Sequence, residues 1–156
     1  MTTSMSAEQK ILELGLKLPA APKPVATYRP AVQVGNLLYL SGHGPIQADG
    51  TLLKGRVGAE LTESQGREAA HLTGLALLAT TRDQLGSLDR VKRVIKLLGM
   101  VNCPPEFLNH PSVINGCSDL FRDIFGDAGV GARSAVGMVS LPGNMAVEIE
   151  AIFEVE

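Results

Sequence analysis

Tryptophan is absent from the sequence, and all aromatic residues together make up only 4% of it. Single-stranded nucleic-acid binding relies on aromatic platforms for base stacking, so that function has little to rest on. An excess of one charge is also missing: 14 basic residues face 16 acidic ones, for a net charge of −2. Phosphate neutralisation supplies most of the affinity of nucleic-acid binders, so this balance disfavours such partners. The nearest approach to a basic stripe is the scattered group Arg90, Lys92, Arg93 and Lys96. Two cysteines, Cys103 and Cys117, are too few for a disulfide scaffold. No apolar run reaches the ~18 residues of a membrane span, and MTTSMSAEQK lacks the basic region and apolar stretch of a signal peptide. The expectation is a cytoplasmic, reduced protein without membrane attachment.

What is present is an apolar-leaning chain of 156 residues, 45% hydrophobic and 19% charged. That length predicts one domain able to bury roughly 70% of its unfolded surface. SAEQKILELGLKL (6–18) predicts a short amphipathic helix ending at Pro19, and PAAPKP (19–24) an extended connector. Residues 1–24 thus read as a helix with its connector, leading into a domain over 25–156. Tyr28 to Val34 and LLYLSG (37–42), separated by Gly35-Asn36, predict a hairpin. Ala48-Asp49-Gly50 marks a turn, with a third strand expected around 51–57. Thr62 and Gln65 form a capping box for a helix over 62–85, which carries Ala69, Leu72, Ala76 and Ala79 on a small-residue face and stops at Gly86. Val91 to Val101 reads as a strand, and Ser112 to Phe125 as a second long helix. Arg133 to Leu141 and Ala146 to Val155 read as two strands joined into a second hairpin by Leu-Pro-Gly-Asn. The last of these alternates strictly: Val147, Ile149, Ala151, Phe153 and Val155 against Glu148, Glu150 and Glu154.

Strands and helices in this order predict an α+β layer fold, with helices on one face of a mixed sheet. No third layer remains in the chain for the other face, and self-association is the natural cover.

Few residues offer chemistry. Cys103, His110 and Cys117 are spaced by seven, but Pro104, Pro105 and Pro111 break any helix that would align them. With no fourth ligand nearby, no metal site is expected. His43 and His71 are isolated and read as structural or exposed. Ser41-Gly42-His43 is no catalytic pair, because neighbours on a strand point to opposite faces. Gly42-His43-Gly44 reads as a bulge or tight bend, or as backbone amides offered to an anion. Arg133 leads an apolar strand after a glycine-bearing loop. Its guanidinium calls for solvent, an internal carboxylate or a bound one, which it would grip bidentately. Glu148 sits on a strand face interrupted by Ile152, which points to partial burial and a raised pKa suited to a base.

Tyr28 with AVQVGNLLYLSG (31–42), Lys96, Asn115, ARSAV (132–136) and LPGNMAVEIEA (141–151) together resemble the RidA/YjgF family, from about residue 28 to the end. The resemblance implies a chorismate-mutase-like α+β fold, a mixed sheet with two helices on one face. It also implies a homotrimer whose sheets form a central barrel, with ligand clefts between subunits. The implied activity is cofactor-independent hydrolysis of reactive 2-imino or enamine acids to 2-keto acids and ammonia. Arg133 matches the carboxylate-binding arginine and Glu148 the glutamate that positions water. Tyr28 matches a tyrosine that lines the cleft from the neighbouring subunit, and Gly42, Asn115 and Ala135 match further positions near the ligand. The chain departs from short family members before its first strand, between Lys96 and Asn115, at His43 where a glutamine is usual, and at Ala135. Two other readings compete: a non-catalytic trimeric module that binds small carboxylates, and an endoribonuclease, which the charge balance disfavours.

Overall fold

The computed structural model describes residues 4–156. Helix α1 (Ala7–Glu13) starts at a capping box in which Ser6 and Gln9 satisfy each other's backbone amides. It is shorter than the expected 6–18 because Gly15 turns left-handed, at φ +65°. Leu16 and Leu18 still pack against the core after the helix has ended. Glu8 ties α1 down: its carboxylate accepts two bonds from Arg82, at 2.5 and 3.1 Å, and one from the Leu88 amide at 2.9 Å. Burial opposes ionisation of Glu8, but these bonds outweigh it and hold the carboxyl below its usual pKa.

Strands β1 (Ala31–Val34) and β2 (Leu37–His43) form the expected hairpin around Gly35-Asn36, paired antiparallel. Residues 51–57 do not form the expected third strand. They carry only isolated bridges, Leu52 to Ile46, Lys54 to Met145 and Val57 to Leu61. The stretch has no alternating face to bury, so single contacts hold it as a loop.

Helix α2 (Glu63–Leu85) has its capping box at Thr62 and Gln65 and ends on Gly86 at φ +84°. Strand β3 (Val91–Asn102) follows. Helix α3 (His110–Phe125) begins two residues earlier than expected, with Pro111 in its first turn, where a missing amide proton costs nothing. Strands β4 (Ala132–Met138) and β5 (Val147–Val155) complete the chain.

The sheet order is β1-β2-β5-β3-β4. This overturns the expected second hairpin. Strand β4 runs parallel to β3, and β5 inserts between β2 and β3, antiparallel to both. The five alternating apolar residues of β5 are all buried, and a strand so apolar on one face gains most from a central position.

Helices α2 and α3 cover one face of the sheet. Phe121 of α3 meets Phe153 of β5 edge to face, with centroids 5.6 Å apart. The other face has no layer over it among the described residues. Tyr39, Leu98 and Ile152 surround an open concavity of about 500 Å³ there, together with Lys96, Ser134 and Glu150.

Candidate active site

Two clusters hold the predicted site residues other than Tyr28, one on each side of the sheet. The first is built on Arg133. Residues of β4 alternate between faces, and Arg133 turns towards the helices. One terminal nitrogen donates to Asn115 Oδ1 at 2.7 Å and to Ser118 Oγ at 3.1 Å. The other donates to the Pro111 carbonyl at 3.5 Å. Asn115 and Ser118 lie three residues apart on α3, so one helix face presents both acceptors. All three acceptors are neutral, and Arg133 forms no ion pair with any carboxylate among the described residues. A fork fixed by neutral groups keeps its charge available to an incoming anion. A cavity of about 220 Å³ opens beside it, bounded by Leu97, Asn115, Ser118, Asp119, Arg122 and Gly131. Ala135 follows on the same face of β4, half-buried against the core.

The second cluster joins Gly42 to Glu148 on the uncovered side. The pairing of β2 with β5 is regular to Leu40 and resumes at His43, so the bulge expected over Gly42-His43-Gly44 falls instead at Ser41-Gly42. Glu148 lies directly over it: a Cβ added at Gly42 would sit 2.1 Å from Glu148 Oε1. Only glycine allows that approach. Burial pushes the Glu148 pKa above the usual carboxylate value, and the nearby Glu150 charge adds to the rise.

His43 anchors the bulge from below. It is buried, with Nδ1 2.6 Å from the Ser41 carbonyl and Nε2 2.7 Å from Thr80 Oγ1 of α2. A carbonyl only accepts, so Nδ1 carries the proton, and the Thr80 hydroxyl donates to Nε2. Burial lowers the His43 pKa, and the bond to Ser41 only partly offsets it.

Tyr28 joins neither cluster. It lies before β1, half-exposed. Cys117 is fully buried in α3, and burial pushes its thiol pKa far up despite the nearby Arg133. Cys103 and His110 do meet, with Sγ 3.4 Å from Nε2, but Cys117 is not with them. No group of three or more potential metal ligands assembles among the described residues. Ser118 and Thr80 were missed by sequence reasoning. The signal for Ser118 was its spacing from Asn115, which puts both on one face of α3; for Thr80 there was none.

An open mixed sheet with two helices across one face, an arginine held by neutral groups on its edge strand and a half-buried glutamate on its central strand define a chorismate-mutase-like α+β protein. The chain belongs to the family described as "YjgF/chorismate_mutase-like, putative endoribonuclease", whose model matches residues 8–153. It is similar to the protein TCP17 of Trypanosoma cruzi, 43% identical over 90% of this chain and 89% of that one. Its fold matches the crystal structure of Atu1372 of Agrobacterium tumefaciens, a protein of unknown function, with a TM-score of 0.89. That match has 42% identity and covers 96% and 92% of the two chains. A 2-iminobutanoate/2-iminopropanoate deaminase of Dermatophagoides farinae is 28% identical over 90% of this chain and 95% of its own.

Proposed function

We propose that the protein hydrolyses small 2-imino acids, and their enamine tautomers, to 2-keto acids and ammonia in clefts between the subunits of a homotrimer. The observation that carries this reading is the Arg133 guanidinium, held by Asn115 and Ser118 and unpaired with any internal carboxylate among the described residues. Kinship with a deaminase of 2-imino acids supports it.

Arg133 holds the substrate carboxylate and so fixes C2 of the C=N bond. The imine nitrogen is protonated, which makes C2 electrophilic. Glu148 positions a water and takes its proton as the oxygen attacks, and its raised pKa suits it to that task. Glu148 returns that proton to the carbinolamine nitrogen, the C–N bond breaks to release ammonia, and the hydroxyl proton passes to water as the C=O bond forms. One water is consumed for each ammonia released, and no electrons are gained or lost.

Arg133 and Glu148 face opposite sides of the sheet, with β3 between their strands. A site using both therefore draws Arg133 from one copy and Glu148 from another. The uncovered sheet face, with Tyr39 and Val136 exposed, supplies the apolar surface for that association.

The test is a competition assay. An amino-acid oxidase generates the imine, semicarbazide traps it, and loss of semicarbazone reports hydrolysis. The expected result is acceleration by the wild type that Arg133→Ala abolishes and Glu148→Ala abolishes without loss of keto-acid binding. Keto-acid binding with no acceleration would replace the enzyme by a carboxylate-binding module.

A further inference from the structure

Helix α2 carries three buried threonines, Thr73, Thr80 and Thr81. Two of them return their hydroxyl protons to their own helix. Thr73 donates to the Ala69 carbonyl and Thr81 to the Leu77 carbonyl, each at 2.8 Å. Such a bond to the carbonyl four residues back is the local choice of a buried helical threonine. Thr80, 1% exposed, departs from it. Its hydroxyl leaves the helix for His43 Nε2 on β2.

The chain of bonds continues into the sheet. The Nδ1–H of His43 donates to the Ser41 carbonyl at 2.6 Å. The Ser41 amide donates to the Pro30 carbonyl at 3.0 Å, and the Ser41 hydroxyl to the Arg29 carbonyl at 2.5 Å. Ser41 is thus held at each of its polar groups, although the bulge removes it from the ladder between β2 and β5. The peptide joining Ser41 to Gly42 is planar, so fixing its carbonyl also fixes Gly42. Gly42 is the surface on which Glu148 rests. A Cβ there would meet the Glu148 carboxyl carbon at 2.8 Å and Cγ at 3.0 Å. A shift of the bulge therefore displaces the carboxylate.

We propose that Thr80 and His43 are positioning residues, a brace from α2 to β2 that holds Glu148 in its half-buried place over Gly42. The catalytic consequence rests on the water-activating role given to Glu148 above; the positioning does not. Packing alone does not account for the pair, because two apolar side chains of the same shape fill such a site about as well. What the hydroxyl and the imidazole add is direction, with Nδ1 turned to Ser41 and Nε2 to Thr80. The surroundings of Glu148 agree. Its register partner on β3 is Met100, and Glu150 of its own strand is the charge that bears on it, so burial at this spot is the main cause of its raised pKa. Across the bulge His43 lies buried, and that burial favours its neutral form.

Carbon-13 NMR titration of the full chain, labelled at the glutamate side chains, follows the Glu148 carboxyl directly. Glu148→Gln assigns its signal. The wild-type group should titrate above 4.5, and His43→Leu combined with Thr80→Val should return it towards that ordinary value. The double variant replaces both partners by apolar groups, so it folds. In the semicarbazide competition its kcat should fall about ten- to a hundredfold, the scale of a catalytic group misplaced by an ångström. KM should hold, because Arg133 is untouched. His43→Gln offers an amide donor and an amide acceptor, and should recover most of the lost kcat. An unmoved Glu148 titration in the double variant would overturn the proposal. Equal losses in His43→Gln and the double variant would also overturn it, by reducing the pair to packing. Wild-type kcat despite a moved titration would overturn it by removing the place of Glu148 from catalysis. A moved titration, in a protein whose wild type turns over no imine, would uphold the brace and defeat the hydrolase reading alone.

Discussion

At the scale of single residues, His43 and Glu148 titrate in opposite senses and sit on either side of one bulge. The folded state lowers the His43 pKa below the ordinary histidine value of 6.5, so the unfolded chain binds the proton more readily. The stability that neutral His43 contributes is therefore complete above about pH 6.5 and is lost as pH falls from there towards its folded pKa. His43→Gln, which cannot titrate, should flatten that slope in urea unfolding measured between pH 5 and 7.5. An identical slope in the variant would remove His43 as its source. For Glu148 the sign reverses, because its folded pKa lies above 4.5. Activity should fall as pH drops through that raised value and the carboxylate is protonated. In Gly42→Ala the added methyl displaces the Glu148 carboxylate, and kcat should drop about a hundredfold or more, the scale of a lost general base. Wild-type kcat in Gly42→Ala would show that the position of Glu148 is irrelevant. The sequence singles out Arg133 as a charge leading an apolar strand and Glu148 as a charge on a strand face that Ile152 interrupts. It could not show that Asn115 and Ser118 hold Arg133, since those contacts depend on where α3 crosses the sheet.

At the scale of elements, the chain is legible where its signals are local. The Thr62 capping box, the Gly86 stop and the Gly35-Asn36 hairpin lie within a few residues of the structure they specify. Thr62→Ala removes the oxygen that accepts from the Gln65 amide at 3.1 Å. It should cost about 1 kcal/mol, read as a drop in Tm of about 2–4 °C. No change in Tm would mean that packing of α2 over the sheet, and not its cap, fixes its start. The failed expectations are those of partnership. Leu-Pro-Gly-Asn between two strand-like runs has the local chemistry of a hairpin, yet β4 pairs parallel with β3 and leaves β5 to lie beside β2. Periodicity along β5 reports which of its faces is buried and says nothing about which strands flank it. Residues 51–57 fail for a related reason: turn residues bound them, but no alternation gives a sheet something to bury.

At the scale of the whole molecule, the opposed faces of Arg133 and Glu148 make a prediction that a self-contained site would not. The homotrimer reading requires a mass three times that of the 16.4 kDa chain in light scattering, and a monomeric mass would remove it. A trimer with cyclic symmetry repeats one heterologous contact three times, so each cleft takes Arg133 from one subunit and Glu148 from the next. Trimers of Arg133→Ala alone, or of Glu148→Ala alone, have no complete cleft. In trimers reassembled at random from an equal mixture, a cleft is complete whenever its arginine comes from a Glu148→Ala chain and its glutamate from an Arg133→Ala chain. Each condition is met half the time, so about a quarter of all clefts are whole. Mixing two inactive preparations, after gentle unfolding and refolding together, should restore about a quarter of wild-type hydrolysis. The same preparations mixed without subunit exchange should stay inactive. If refolded mixtures form mixed trimers by mass and still show no activity, Arg133 and Glu148 do not serve one cleft. The arginine would then bind its carboxylate on the helix side of the sheet, with no part for Glu148 in the same event.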